Sequence, residues 1–269
     1  MNKKKEFEKI LKDIKLIKIQ GALNVAQAAL KAYVLIPTSL SKKKLLKSRP
    51  TEPMMRYVLN LAEKKKYKEI FNHFNSTQGK INETVLKLIK NKEIILTHCH
   101  STNVVNSLIY ARKKRKFFEV YATETRPLFQ GRKTAKELAN AKIKVTMFVE
   151  SFLDDAISGK QSMKKVKKIF IGADALLKGG IINKVGSELI AKIAKENKVP
   201  VYIIADSWKF SKNKVPLEQR NLNEIWDKAP KNVKIKNPAF EFVDKKYISG
   251  IVTELGFMKY DKFVKRMVK

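Results

Sequence analysis

The chain has 269 residues, 44% of them hydrophobic, enough for one large domain or two modest ones with a substantial core. Its formal net charge is +33, yet only eight of its 58 basic residues are arginines, so the excess is lysine. Scattered lysines give solubility and non-specific attraction to polyanions, whereas base and phosphate reading favours arginine forks and interleaved aromatics, so specific nucleic-acid binding is not expected.

A single cysteine excludes an intrachain disulfide framework and fits a reducing compartment. The start "MNKKKEFEKILKDIK" is charged and helical in period, without an apolar leader, and no window approaches the ~20 apolar residues of a membrane span. A cytoplasmic protein with no membrane contact is expected.

Residues 1–90 read as a helical domain. "FEKILKDIKLIKI", "ALNVAQAALKAYVLI", "MMRYVLNLAEKKKYKEIFNHF" and "INETVLKLIKNK" place apolar residues at spacings of three and four, with "PTSLSKKKLLKSRPTEP" and "NSTQGK" as separators. From residue 91 to 269 the pattern changes to short apolar runs alternating with helical stretches. "EIILTH", "KFFEVYATE", "KVTMFVE", "KKIFIGA", "VPVYIIA" and "YISGIVTEL" predict strands, and "TAKELANA" and "SELIAKIAKENK" predict crossover helices. The fold class is therefore α/β: an N-terminal helical domain, then a domain with a mainly parallel sheet covered on both faces.

Ligands of such sheets bind beyond the carboxyl ends of the strands. Cys99 follows "EIILTH" and precedes a helix beginning near Ser101 or Thr102, and Asp174 occupies the same place after "KKIFIGA". Two reactive side chains at equivalent strand ends should face one crevice. A thiol beside a helix start should have a lowered pKa, although a lone cysteine is commonly a small buried hydrophobe, and position alone leaves both readings open. Behind Asp174, "GGIINKVGSELIAKIAKE" offers Asn183, Lys184 and a helix start near Ser187 whose free N–H groups suit an anion. "TETRPLFQGRKTAKEL" adds Glu124, Arg126 and Arg132 at the second strand end, so the crevice suits a phosphorylated small molecule.

Other chemistries fail on counting. A zinc site needs three or four ligands, but on an extended segment Cys99 would face away from His98 and His100, and only His73 remains elsewhere. No Walker A loop, dinucleotide fingerprint or G-x-S-x-G elbow is present, so no metal or redox cofactor is expected.

"ILTHCHS", "VYATETRPLFQGRKTAKELA", "GADALLKGGIINKVGSELIA", "LEQR" and "NPAFEFVDKKYISGIVTELG", with "IQGALNVAQAALKA" near the start, resemble one family. It unites the alpha, beta and delta subunits of translation initiation factor 2B, methylthioribose-1-phosphate isomerase and ribose-1,5-bisphosphate isomerase. The resemblance spans nearly the whole chain, is strongest to the ribose-1,5-bisphosphate branch, and implies a Rossmann-like second domain. It also implies that Cys99 and Asp174 are the catalytic pair of an aldose–ketose isomerase that needs no cofactor. Gln20, Gly21, Ala22, Arg49, Ser101, Arg126, Arg132, Asn183 and Lys184 would hold the sugar phosphate. The resemblance further implies a homo-oligomer, dimer or hexamer, and a place in nucleotide salvage; the apolar residues of "YISGIVTELGFM" suit an interface or, equally, a core strand, and the sequence does not reveal whether a nucleotide monophosphate acts as an activator.

Two departures stand out: Gln20 occupies a position where the isomerases carry arginine, and Glu150 replaces the family's aspartate. The loss of charge at Gln20 keeps an alternative in play, a non-catalytic initiation factor 2B-like subunit that binds a protein or nucleotide partner.

Overall fold

A computed structural model describes residues 2–217 and 219–269; Met1, and Glu218 of the "LEQR" stretch, lie outside the described residues. The first half forms helices α1 (Lys3–Lys15), α2 (Ala22–Leu35), α3 (Ser39–Ser48), α4 (Pro53–Glu63) and α5 (Tyr67–Leu88). Two of the expected separators are helical. Thr38 caps α3 by accepting a hydrogen bond from the Ser41 N–H at 3.1 Å, and Leu45 carries that helix into the core. "NSTQGK" lies within α5 because Ile70, Thr77, Ile81 and Val85 continue one buried stripe through it, and packing along that stripe outweighs the weak propensity of Asn, Ser and Gly. The real break falls at Lys64–Lys66, where Lys65 adopts φ +57°.

The second half follows the expected alternation. Its elements are β1 (Ile94–Thr97), α6 (Thr102–Lys113), β2 (Glu119–Thr123), α7 (Gln130–Asn140), β3 (Lys144–Phe148), α8 (Leu153–Ser158) and β4 (Lys168–Ile171). After these come β5 (Ala175–Leu177), β6 (Gly180–Lys184), α9 (Ser187–Glu196), β7 (Val201–Ile204), β8 (Phe240–Asp244), β9 (Gly250–Thr253), β10 (Gly256–Met258) and α10 (Tyr260–Val268).

The main sheet runs β10-β9-β7-β4-β1-β2-β3, and every pairing is parallel except β10 on β9. The chain builds outward from β1 through β2 to β3, then returns to β4 on the other side of β1. The switch point is therefore the β1–β4 pair, where a crevice opens at the carboxyl edge. One face packs Ile94, Leu96, Ile169 and Ile203 against α8, α9 and α10; the other packs Ile95, Val120 and Phe170 against α5 and α6. Burying an isoleucine or leucine contributes about 1.5–3 kcal/mol, so both covered faces are needed to hold so short a set of strands.

A three-stranded antiparallel sheet, β5-β6-β8, was not anticipated; its short β5–β6 turn at Lys178–Gly179 hides within "ALLKGGIINK". The stretch "YISGIVTELGFM" forms β9 and β10: Ile251 and Val252 are fully buried in β9, in line with its core-strand reading, while Phe257 remains exposed. Among the described residues no helix is long and apolar enough to cross a membrane.

Candidate active site at the β1–β4 switch point

Cys99 and Asp174 leave neighbouring parallel strands, β1 and β4, and line one cavity of about 240 Å³. Cys99 turns the chain toward α6 with φ +64°. Its N–H donates to Thr125 Oγ1 at 3.0 Å, and its carbonyl accepts from Thr134 Oγ1 at 2.8 Å. Asp174 is fixed through its own N–H, which donates to the Ile182 carbonyl at 2.8 Å across the β5–β6 hairpin. Gly172 lets this loop close on α6: a Cβ there would lie 2.5 Å from Ser101 Oγ.

Gln20, Gly21 and Ala22 at the start of α2 line the same cavity, as do Arg49, Ser101, Asn183 and Lys184. The α2 N-terminus has no side-chain cap, so its first N–H groups are open to an anion. Arg49 forms an ion pair with Glu52 at 3.6 Å. Asn183 donates to Ser187 Oγ at 2.8 Å, which in turn donates to the Lys184 carbonyl, so the turn that presents Lys184 is internally bonded.

Three expectations are corrected. Arg126 and Arg132 lie outside the cavity: both guanidinium groups stack on the Phe129 ring, 4.8 and 3.8 Å from its centre, and Arg132 Nε pairs with Glu124 at 3.0 Å. The α9 N-terminus is already filled, because Glu241 accepts from the Gly186 and Glu188 N–H groups at 2.8 and 2.7 Å. A helix start needs an anion, and β8 delivers one from within the chain. The thiol pKa rises rather than falls: burial pushes Cys99 up to about 12, reinforced by Asp174 and Glu150 and opposed by the His100 N–H and Lys184. Desolvation outweighs the nearby helix start.

Both histidines line the same cavity and are held by other groups. His98 is buried between the Val185 carbonyl, 2.9 Å from Nε2, and Thr123 Oγ1, 2.6 Å from Nδ1, and burial lowers its pKa to about 4. His100 bonds Thr134 Oγ1 at 3.0 Å through Nδ1, and burial lowers its pKa as well. Burial also lowers the pKa of Lys184, against the pull of Cys99 and Asp174.

Sequence reasoning missed Lys133, Lys209 and Arg220, all on the cavity wall. Lys209 Nζ donates to the Ala173 carbonyl at 2.7 Å, beside Asp174. It lies just past the carboxyl end of β7, where the strand-end rule already pointed, in "ADSWKF". Arg220 forks onto Glu224 at 2.7 and 3.1 Å, from a long irregular segment that gave no periodic signal. Among the described residues one His/Asp/Glu group has metal-like spacing, His73, Asp206 and Glu254. Hydrogen bonds account for it: His73 Nε2 meets both Asp206 oxygens at 2.9 Å, its ring stacks on Trp208 at 3.6 Å, and Glu254 accepts from the Ser207 N–H at 3.1 Å.

Residues 40–260 match the Initiation factor 2 subunit family. The chain belongs to that family. Ribose 1,5-bisphosphate isomerase of Archaeoglobus fulgidus is 32% identical to it over 90% of this chain and 86% of the relative. Methylthioribose-1-phosphate isomerase of Carboxydothermus hydrogenoformans is 33% identical over 82% of this chain and 68% of the relative. The translation initiation factor eIF-2B structure from Pyrococcus horikoshii OT3 superposes with a TM-score of 0.82 over 96% of this chain and 98% of that one, at 24% identity, a likeness of fold. The expected helical and Rossmann-like architecture is thus the family's own.

Proposed function

We propose that the chain is an aldose–ketose isomerase acting on a phosphorylated pentose, converting ribose 1,5-bisphosphate to ribulose 1,5-bisphosphate with Cys99 and Asp174 as its proton-transfer groups. The observation that carries this reading is the convergence of the thiol and the carboxyl group, with Lys184, at the switch point of the sheet. Relatives named as sugar-phosphate isomerases, similar over most of the chain, support the substrate class.

The reaction must protonate the ring oxygen as the C1–O bond opens, remove the C2 proton, and return a proton to C1. A thiol held protonated by burial supplies the first proton. The thiolate left behind, favoured by the His100 N–H and the Lys184 ammonium, takes the C2 proton and returns it to C1. Asp174 takes the 2-hydroxyl proton as the ketone forms and passes it back to the thiolate, which resets the site. Every proton is thereby accounted for within two side chains.

Phosphate groups are accommodated by the uncapped α2 start with Gln20, Gly21 and Ala22, by Arg49 and Ser101, and by the Asn183–Lys184 turn, with Lys209 nearby. The test is product formation from ribose 1,5-bisphosphate, followed by ³¹P NMR, in the wild type and in Asp174→Asn. Turnover lost in the variant supports the reading; equal turnover in both removes Asp174 from it.

A further inference from the structure

The turn after β2 is strained in a way that the candidate chemistry does not require. Thr125 adopts φ +63°, a left-handed conformation that a β-branched residue rarely occupies. It faces Cys99, itself at φ +64°. Something must hold both, and the surrounding contacts show what does. Glu150 Oε1 accepts the Thr125 N–H at 2.6 Å. The start of α7 presses on the same turn, where a Cβ at Gly131 would lie 1.8 Å from the Thr123 carbonyl oxygen, so only glycine fits.

The direction of the hydrogen bonds follows from their ends. The Val185 carbonyl can only accept, so His98 Nε2 carries a proton, and in the neutral ring that burial favours Nδ1 accepts from the Thr123 hydroxyl. Thr123 Oγ1, having given its proton, accepts from the Thr125 hydroxyl at 3.2 Å. The lone pairs of Thr125 are then free to accept the Cys99 N–H. One unidirectional relay therefore runs from Cys99 through Thr125 and Thr123 to a neutral His98.

We propose that Thr125, locked by Glu150, is the positioning residue for Cys99: its hydroxyl takes the Cys99 N–H and holds the cysteine in the left-handed turn that aims its sulfur into the cavity. This assignment rests on the isomerase reading for its catalytic consequence and on geometry for the rest. The charged and titratable groups facing the sulfur are Asp174 from the β4–β5 turn, Lys184 from β6 and Glu150 from the turn after β3, with His98 and His100 as chain neighbours.

The test compares Thr125→Val, which keeps the shape and loses the hydroxyl, with Thr125→Ser, which keeps the hydroxyl, and adds Glu150→Ala. Two readouts are taken: turnover of ribose 1,5-bisphosphate, and the pH profile of iodoacetamide alkylation, which reports Cys99 alone because the chain has one cysteine. Thr125→Val and Glu150→Ala should each lower kcat roughly ten- to a hundredfold with KM within about twofold, as a misplaced reacting group does. The same variants should alkylate roughly tenfold faster at pH 8.5, as the sulfur leaves its desolvated position. Thr125→Ser should return both toward the wild type. Wild-type turnover and alkylation in Thr125→Val, or failure of serine to rescue, overturns the assignment. An inactive wild type would instead strike the isomerase reading, and the alkylation comparison would still decide whether Thr125 holds the thiol.

Discussion

His98 makes the folded state sensitive to acid. Its imidazole is buried with both nitrogens engaged, Nε2 as donor to Val185 and Nδ1 as acceptor from Thr123, and its pKa falls from 6.5 to about 4. A folded-state pKa below the unfolded one means that the neutral ring stabilises the fold fully above about pH 6.5. That stabilisation is lost as pH falls through 6.5 toward 4. A displacement from 6.5 to about 4 corresponds to about 3 kcal/mol, of which about 2.5 kcal/mol is gone by pH 4.5. Urea denaturation at pH 7.0 and 4.5 measures the loss. His98→Gln, with a side chain that can donate and accept but not titrate, should be less stable than wild type at pH 7.0 yet lose about 2.5 kcal/mol less on acidification. Paired carboxylates such as Glu119, whose pKa is lowered by Lys164 and Lys144, add a slope of the same sign to both proteins and cancel in the difference. Parallel pH slopes for wild type and His98→Gln would refute the assignment of a neutral, locked His98.

Other predictions follow from the same geometry. Gly172→Ala, whose methyl would sit 2.5 Å from Ser101 Oγ and 2.7 Å from Ser101 Cβ, should destabilise by about 1–3 kcal/mol in urea and reduce kcat/KM. Lys184→Met removes a charged contact of the ~1.5–3 kcal/mol class and should weaken ribose 1,5-bisphosphate binding roughly ten- to a hundredfold by calorimetry. The double variant Arg126→Ala/Arg132→Ala should change KM by no more than about twofold, because both guanidinium groups stack on Phe129 outside the cavity.

Much of the frame was legible because its signals are local. Six apolar runs marked the parallel strands of the main sheet, and their carboxyl ends located Cys99 and Asp174 before any coordinates. The rest depended on contacts between distant segments. Nothing near "FEFVD" announces that Glu241 will cap α9, since that pairing arises only when β8 lies beside β6. Arg132 looked like a phosphate ligand because spacing shows proximity to a strand end but not the pull of Phe129 and Glu124. The thiol of Cys99 was misread for a related reason: a helix start is visible in sequence, whereas the depth of burial that overrides it is set by the whole crevice. Lys209 was legible in principle, and applying the strand-end rule to β7 would have found it.

The central claim is that Cys99 works with Asp174 on a phosphorylated pentose. The most direct measurement incubates the purified protein with ribose 1,5-bisphosphate and follows ribulose 1,5-bisphosphate by coupled carboxylation, with Cys99→Ser alongside. The account predicts turnover by the wild type and its loss in Cys99→Ser, a change of one sulfur to oxygen in an otherwise intact cavity. Equal turnover by the two proteins, or none by the wild type with or without added nucleotide monophosphates, would contradict it.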